Sequence, residues 1–95
     1  MAIQMNYYHP QLDTTIINAY WRINPNNGII GGKNKINYTI EVFKNREMAY
    51  NDNFKTIKGF TFTFVPDLNN SAPNFITQAY NHAKSLPLFN GSIDV

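Results

Sequence analysis

Gly59-Phe60-Thr61-Phe62-Thr63-Phe64-Val65 alternates phenylalanine with threonine without a break, the two-residue period of a strand that is buried on one face and wet on the other. Three rings on one face are driven under cover at ~25 cal/mol for each Å² of apolar surface removed from water. The stretch therefore needs strands beside it and a lid above it.

Two other alternating runs supply the neighbours. Ile17, Ala19, Trp21 and Ile23 fall on one side of an alternating run and Asn18, Tyr20, Arg22 and Asn24 on the other, which predicts a strand over residues 15–24 with Trp21 in the core. Residues 35–44 alternate again, Ile36, Tyr38, Ile40 and Val42 against Asn37, Thr39, Glu41 and Phe43. The two runs match as an antiparallel hairpin, and a register with Ile23 opposite Ile36 keeps their apolar sides on one face. Pro25-Asn26-Asn27-Gly28 and Gly31-Gly32 are turn signals, so residues 24–34 read as a long loop with Ile29 and Ile30 at its tip. Residues 45–53 break the pattern, with one helical turn at Arg46 to Tyr50 and a tight turn at Asn51-Asp52-Asn53, before the third strand over 55–65.

The lid follows. Ile76, Ala79, Tyr80, Ala83 and Leu86 recur at spacings of three and four, while Asn74, Gln78, Asn81 and Ser85 face outward, the pattern of an amphipathic helix over 72–86. Ser71 is the expected N-cap with Pro73 in the first turn, and Pro87 ends the helix. The expected fold is α+β: a single domain with a three-stranded antiparallel β-meander over 14–65 and one C-terminal helix packed on one face. An extended N-terminal arm, 1–13, adds a fourth strand if it joins the sheet. In the tail, 87–95, Leu88, Phe89 and Ile93 are too apolar for a solvated end, so Leu86 and Phe89 are expected to fold back on the helix and Ile93 to Val95 to meet a partner.

Composition narrows the function. Only 15% of the 95 residues are charged, and the net charge of +2 comes from eight basic residues, no two adjacent, so no nucleic-acid patch stands out. The absence of cysteine excludes disulfides and thiolate metal sites. His9 and His82 have no metal-ligand spacing; His82 lies beside the helix's polar face and is expected to be solvated, and the six carboxylates are scattered singly. Gly32-Lys33-Asn34 resembles the end of a phosphate-binding loop, but Asn27 stands where the first glycine belongs and Asn34 where a hydroxyl residue belongs. The expectation is a protein without catalysis, cofactor or metal. No apolar run approaches the ~20 residues that span a bilayer, and the start lacks a signal-peptide pattern, so cytoplasmic synthesis and no membrane partner are expected.

Tyr20 and Phe43, with Arg22, fall on the face assigned as outer. Aromatics there can stack bases, but too few cations flank them, and a poorly charged surface favours a protein partner. The candidate partner contacts are Tyr7 and Tyr8 in the arm, Tyr20, Arg22 and Phe43 on the sheet, and Ile93 and Val95 in the tail.

Ala19-Tyr20-Trp21-Arg22-Ile23 in the first half, then Gln78-Ala79-Tyr80, Lys84-Ser85-Leu86-Pro87-Leu88-Phe89 and Gly91-Ser92-Ile93-Asp94-Val95 at the end, form an ordered pattern. It resembles small bacteriophage-encoded proteins of the virion and tail-gene region. The resemblance implies a non-enzymatic structural component of the virion, tail- or baseplate-associated, that contacts other virion proteins and copies of itself and takes no small-molecule substrate. Fifteen Asn and eleven Ile fit an AT-rich coding sequence, compatible with a phage. The alternatives are capsid decoration or another protein-interaction module, and a small nucleic-acid-binding or regulatory phage protein.

Overall fold

A computed structural model describes residues 2–32, 34–50 and 56–95. The expected tight turn at Asn51-Asp52-Asn53, Lys55 at the start of the expected third strand, and Lys33 lie outside the described residues. In chain order the elements are β1 (Ile3–His9), β2 (Thr14–Ile23), β3 (Ile29–Gly31), β4 (Ile36–Phe43), α1 (Arg46–Ala49), β5 (Lys58–Phe64) and α2 (Phe75–Ser85). A 3₁₀ turn (Pro87–Phe89) and β6 (Ile93–Asp94) follow. The fold is α+β, with a six-stranded antiparallel sheet among the described residues and a C-terminal helix.

Only part of the expected meander holds. β4 pairs along its length with β5, from Ile36 opposite Phe64 to Val42 opposite Lys58. Its other side is shared: Ile40 to Phe43 pair with Ile23 to Tyr20 of β2, and Ile36 to Tyr38 pair with Gly31 to Ile29 of β3. β2 and β3 are therefore one edge of the ladder interrupted by a five-residue excursion, and Ile29–Gly31, at the expected tip of the 24–34 loop, is sheet. Gly28 closes the excursion: its N–H donates to Asn24 C=O at 2.7 Å and its C=O accepts from Thr39 N–H at 2.8 Å. A Cβ there would sit 2.6 Å from the Asn24 carbonyl oxygen, so the closure needs glycine. The register puts Ile23 opposite Ile40, not Ile36. The difference is four residues, an even number, so the apolar sides still share a face.

The N-terminal arm is a strand. β1 pairs with β2, Ile3 opposite Trp21 and Met5 opposite Ala19, and its free side takes β6. Between Met5 and Tyr7 the register shifts, and Asn18 adopts φ +54°. Asparagine tolerates this left-handed geometry, and the Asn18 N–H donates to the Asn6 side chain at 2.8 Å. The bulge turns Ile16 into the core and leaves Ile17 exposed, which corrects the placement of Ile17 on the Trp21 face. Asn18→Val forces a β-branched residue into that geometry and lowers stability by roughly 1–3 kcal/mol, whereas Asn18→Gly stays within about 1 kcal/mol. Denaturant melts of the two variants check the contrast.

α2 is shorter than expected. Its N-cap is Asn74, whose side chain accepts from Thr77 N–H at 2.9 Å, and not Ser71. Pro73 stands before the cap and disfavours helical geometry at Ala72. The helix lays Ala79, Tyr80 and Ala83 on Trp21, Ile23, Tyr38, Ile40 and Val42, with Phe60, Phe62 and Phe64 half-buried at the flank. Tyr80 Oη accepts from Ile23 N–H at 2.7 Å, which ties the helix to the end of β2. The Phe–Thr strand thus has its lid.

Candidate interaction surface

The far face of the sheet, from which α2 is absent, is where the outer contacts were expected. Tyr20 and Phe43 are opposite each other there, but they are only 8% and 5% exposed. Asn45 caps α1 by accepting from Met48 N–H at 3.0 Å, and the short helix sets Ala49 over the two rings, with Ala2 completing a second small core. The expectation of bare aromatics at Tyr20 and Phe43 is therefore corrected: the chain covers them itself. Arg22 is half-buried, its guanidinium 5.7 Å from the Phe43 ring and 4.8 Å from the Tyr50 ring, and Arg46 lies 5.6 Å from Tyr50 on the same patch.

The other candidates separate into buried and exposed. Tyr7 is in the main core, edge-on to Trp21 at 5.6 Å, and so is unavailable to a partner as the chain stands. Tyr8 is exposed, its hydroxyl donating to Asp13. Ile93 and Val95 keep exposed side chains, but their backbone is committed: Ile93 pairs with Gln4, and Val95 N–H donates to Ala2 C=O at 3.1 Å. Residues 93–95, expected to meet a partner, form an added strand whose side chains point outward. Leu86 and Phe89 fold back, Phe89 lying edge-on to Trp21 at 5.2 Å.

The titratable groups serve the fold. His82, expected in solvent, shares a hydrogen bond with the Tyr38 hydroxyl at 2.7 Å and stacks on Phe64 at 5.5 Å. It follows Ala79 by one turn and so reaches the flank of the apolar stripe. No group of three His, Asp or Glu side chains able to hold a metal occurs among the described residues. A cleft of about 510 Å³ between β1 and the tail is lined by Met5, Tyr7, Trp21, Phe60 and Leu88, with the amides of Asn6 and Asn90 as polar contributors. It holds no acid–base pair.

Burial pushes the Tyr38 phenol up to about 12. Burial, then the Tyr50 hydroxyl at 3.2 Å, pushes Tyr20 up to about 12 while Arg46 pulls the other way. A folded-state value above the ordinary 10 means the native state holds its proton longer, so this stability is complete below pH 10 and is lost as pH rises from 10 towards 12. Melting temperature should be flat from pH 8 to about 9.5 and fall steeply above 10, with Tyr20→Phe lessening the fall. A flat profile to pH 12 overturns the assignment.

What remains open is an edge. β5 pairs with β4 on one side, and among the described residues no strand pairs with the other. An edge strand presents alternate unpaired N–H and C=O groups. Short strands, lysines, prolines and bulges normally blunt such an edge; β5 runs seven residues with one lysine, Lys58, at its start. The expected meander already ends on this strand, beside residues 35–44, and β5 keeps that edge position. No family model, curated protein or solved structure matches the chain.

Proposed function

We propose that this chain is a non-enzymatic structural component of a bacteriophage virion, tail- or baseplate-associated, that acts through contacts with other virion proteins and with copies of itself. The observation that carries the reading is the β5 edge, unpaired among the described residues, an apolar and nearly uncharged strand presented for addition of another chain. The ordered sequence pattern from Ala19 to Ile23 and from Gln78 to Val95 supplies the phage context. Burial of Tyr20 and Phe43 removes the stacking platform on which a nucleic-acid reading depended.

The test is location in the particle. Antibody against this chain should label purified virions at the tail or baseplate, and the recombinant protein should co-sediment with tails. Absence from purified particles, or labelling confined to the capsid shell, would sink the tail assignment. Salt-sensitive retention on DNA would instead favour the regulatory reading.

A further inference from the structure

We propose that the partner of the β5 edge is β5 of a second copy, paired antiparallel about a two-fold axis through Phe62. The inference rests on the assembly reading only for its setting; its grounds are the strand itself. Phe60-Thr61-Phe62-Thr63-Phe64 reads the same in both directions. An isologous antiparallel pair needs this self-complementarity, since each residue meets its mirror position on the other copy.

The two-fold through Phe62 sets Phe62 against Phe62 of the second copy and Phe60 against Phe64. All three rungs then lie on the face that α2 covers in each copy, where the rings are half-buried in the single chain. On the opposite face Thr61 meets Thr63, the kind of pair already made within the chain by Thr39 and Thr61, whose hydroxyls lie 2.9 Å apart. Val65, 77% exposed, comes opposite Gly59, which has no side chain to obstruct it. The ladder stops one rung further, where Lys58 meets Pro66, a residue without an N–H. Sliding the pair by two residues either way sets Lys58 against Phe64 or Phe60 against Pro66. The sequence thus selects one register, and the two sheets fuse into one with both helices on the same side.

The absence of cysteine gives a clean test. Mixing Thr61→Cys protein with Thr63→Cys protein under mild oxidation should give the mixed disulfide in excess over either symmetric one, because Thr61 and Thr63 are directly opposite. Wild-type protein should sediment as a dimer, and Thr61→Lys with Thr63→Lys, which sets like charges opposite each other on an exposed face, should raise the dissociation constant about tenfold or more with an unchanged circular-dichroism spectrum. A wild-type monomer at about 1 mM overturns the proposal. So does a dimer whose cysteine variants give mainly symmetric disulfides, or none. A monomer that still labels virion tails removes the β5 pair and leaves the assembly role; a β5 dimer absent from virions does the reverse.

Discussion

A stop after Ser85 abolishes cooperative folding. The lost segment holds Leu86, which packs on the main core, and Phe89, 1% exposed and set against both Trp21 and Phe62 at 5.2 and 6.2 Å. Deleting a buried phenylalanine from a packed core costs about 3–5 kcal/mol, and losing the burial of Leu86 about 1.5–3 kcal/mol more. Domains of this size hold only about 5–15 kcal/mol in total. The truncation also strips β6 from β1, with its rungs at Ile3 and Gln4 and the bond from Val95 to Ala2. The exposed Lys84–Asp94 ion pair adds little to this. A stop after Asn90 keeps Phe89 and removes only β6, so that variant should still melt cooperatively, at a lower temperature. Far-UV circular dichroism and thermal melts of the two truncations separate core loss from strand loss. An unchanged melting temperature after the Ser85 stop would refute the account.

The elements legible in the sequence are those whose periodicity is long and whose burial is one-sided. Phe60, Phe62 and Phe64 alternate over seven residues, and the α2 stripe keeps its spacing over three turns, so both are readable without knowing what they touch. β1 carries the same signal more faintly: Ile3, Met5 and Tyr7 alternate with Gln4, Asn6 and Tyr8, but the adjacent tyrosines hide it. The bulge at Asn18 leaves no mark in a strict alternation, because one extra residue shifts every position before it to the opposite face.

Faces are legible from sequence, and what lies over them is not. The alternation correctly sends Tyr20 and Phe43 to the side away from Trp21. Their burial depends on a four-residue helix whose position is set by the β4–α1 connection, a tertiary fact with no local signature. The candidate contacts Tyr20 and Phe43 are covered for that reason, while Tyr8, Ile93 and Val95 keep exposed side chains. Which side of β5 is paired depends on strand order, and strand order is fixed by the β1–β2 hairpin and the tail, which fill the opposite edge of the sheet. The proposed interaction surface is thus not the aromatic pair but the strand whose own alternation made the fold readable.

Trp21→Ala lowers stability by about 3–5 kcal/mol, the largest effect expected of a single substitution here. The ring joins three parts of the chain that are distant in sequence: Tyr7 of β1 at 5.6 Å, Phe60 of β5 at 5.7 Å and Phe89 of the tail at 5.2 Å. It is also held by a hydrogen bond, Nε1–H to the Met5 carbonyl at 2.9 Å, made where the ladder between β1 and β2 is interrupted by the bulge. Trp21→Phe keeps most of the apolar area and leaves that carbonyl without its donor, a loss of about 1–3 kcal/mol. The gap between the two variants measures the packing contribution alone. Because Trp21 is the sole tryptophan, the variants are followed by circular dichroism in denaturant and not by indole fluorescence. Equal destabilisation by alanine and phenylalanine would assign the effect to the hydrogen bond and remove the ring as the joint between β1, β5 and the tail. A large gap with Phe60 and Phe89 substitutions non-additive to Trp21 would establish the joint, since residues in one contact network couple and distant ones add.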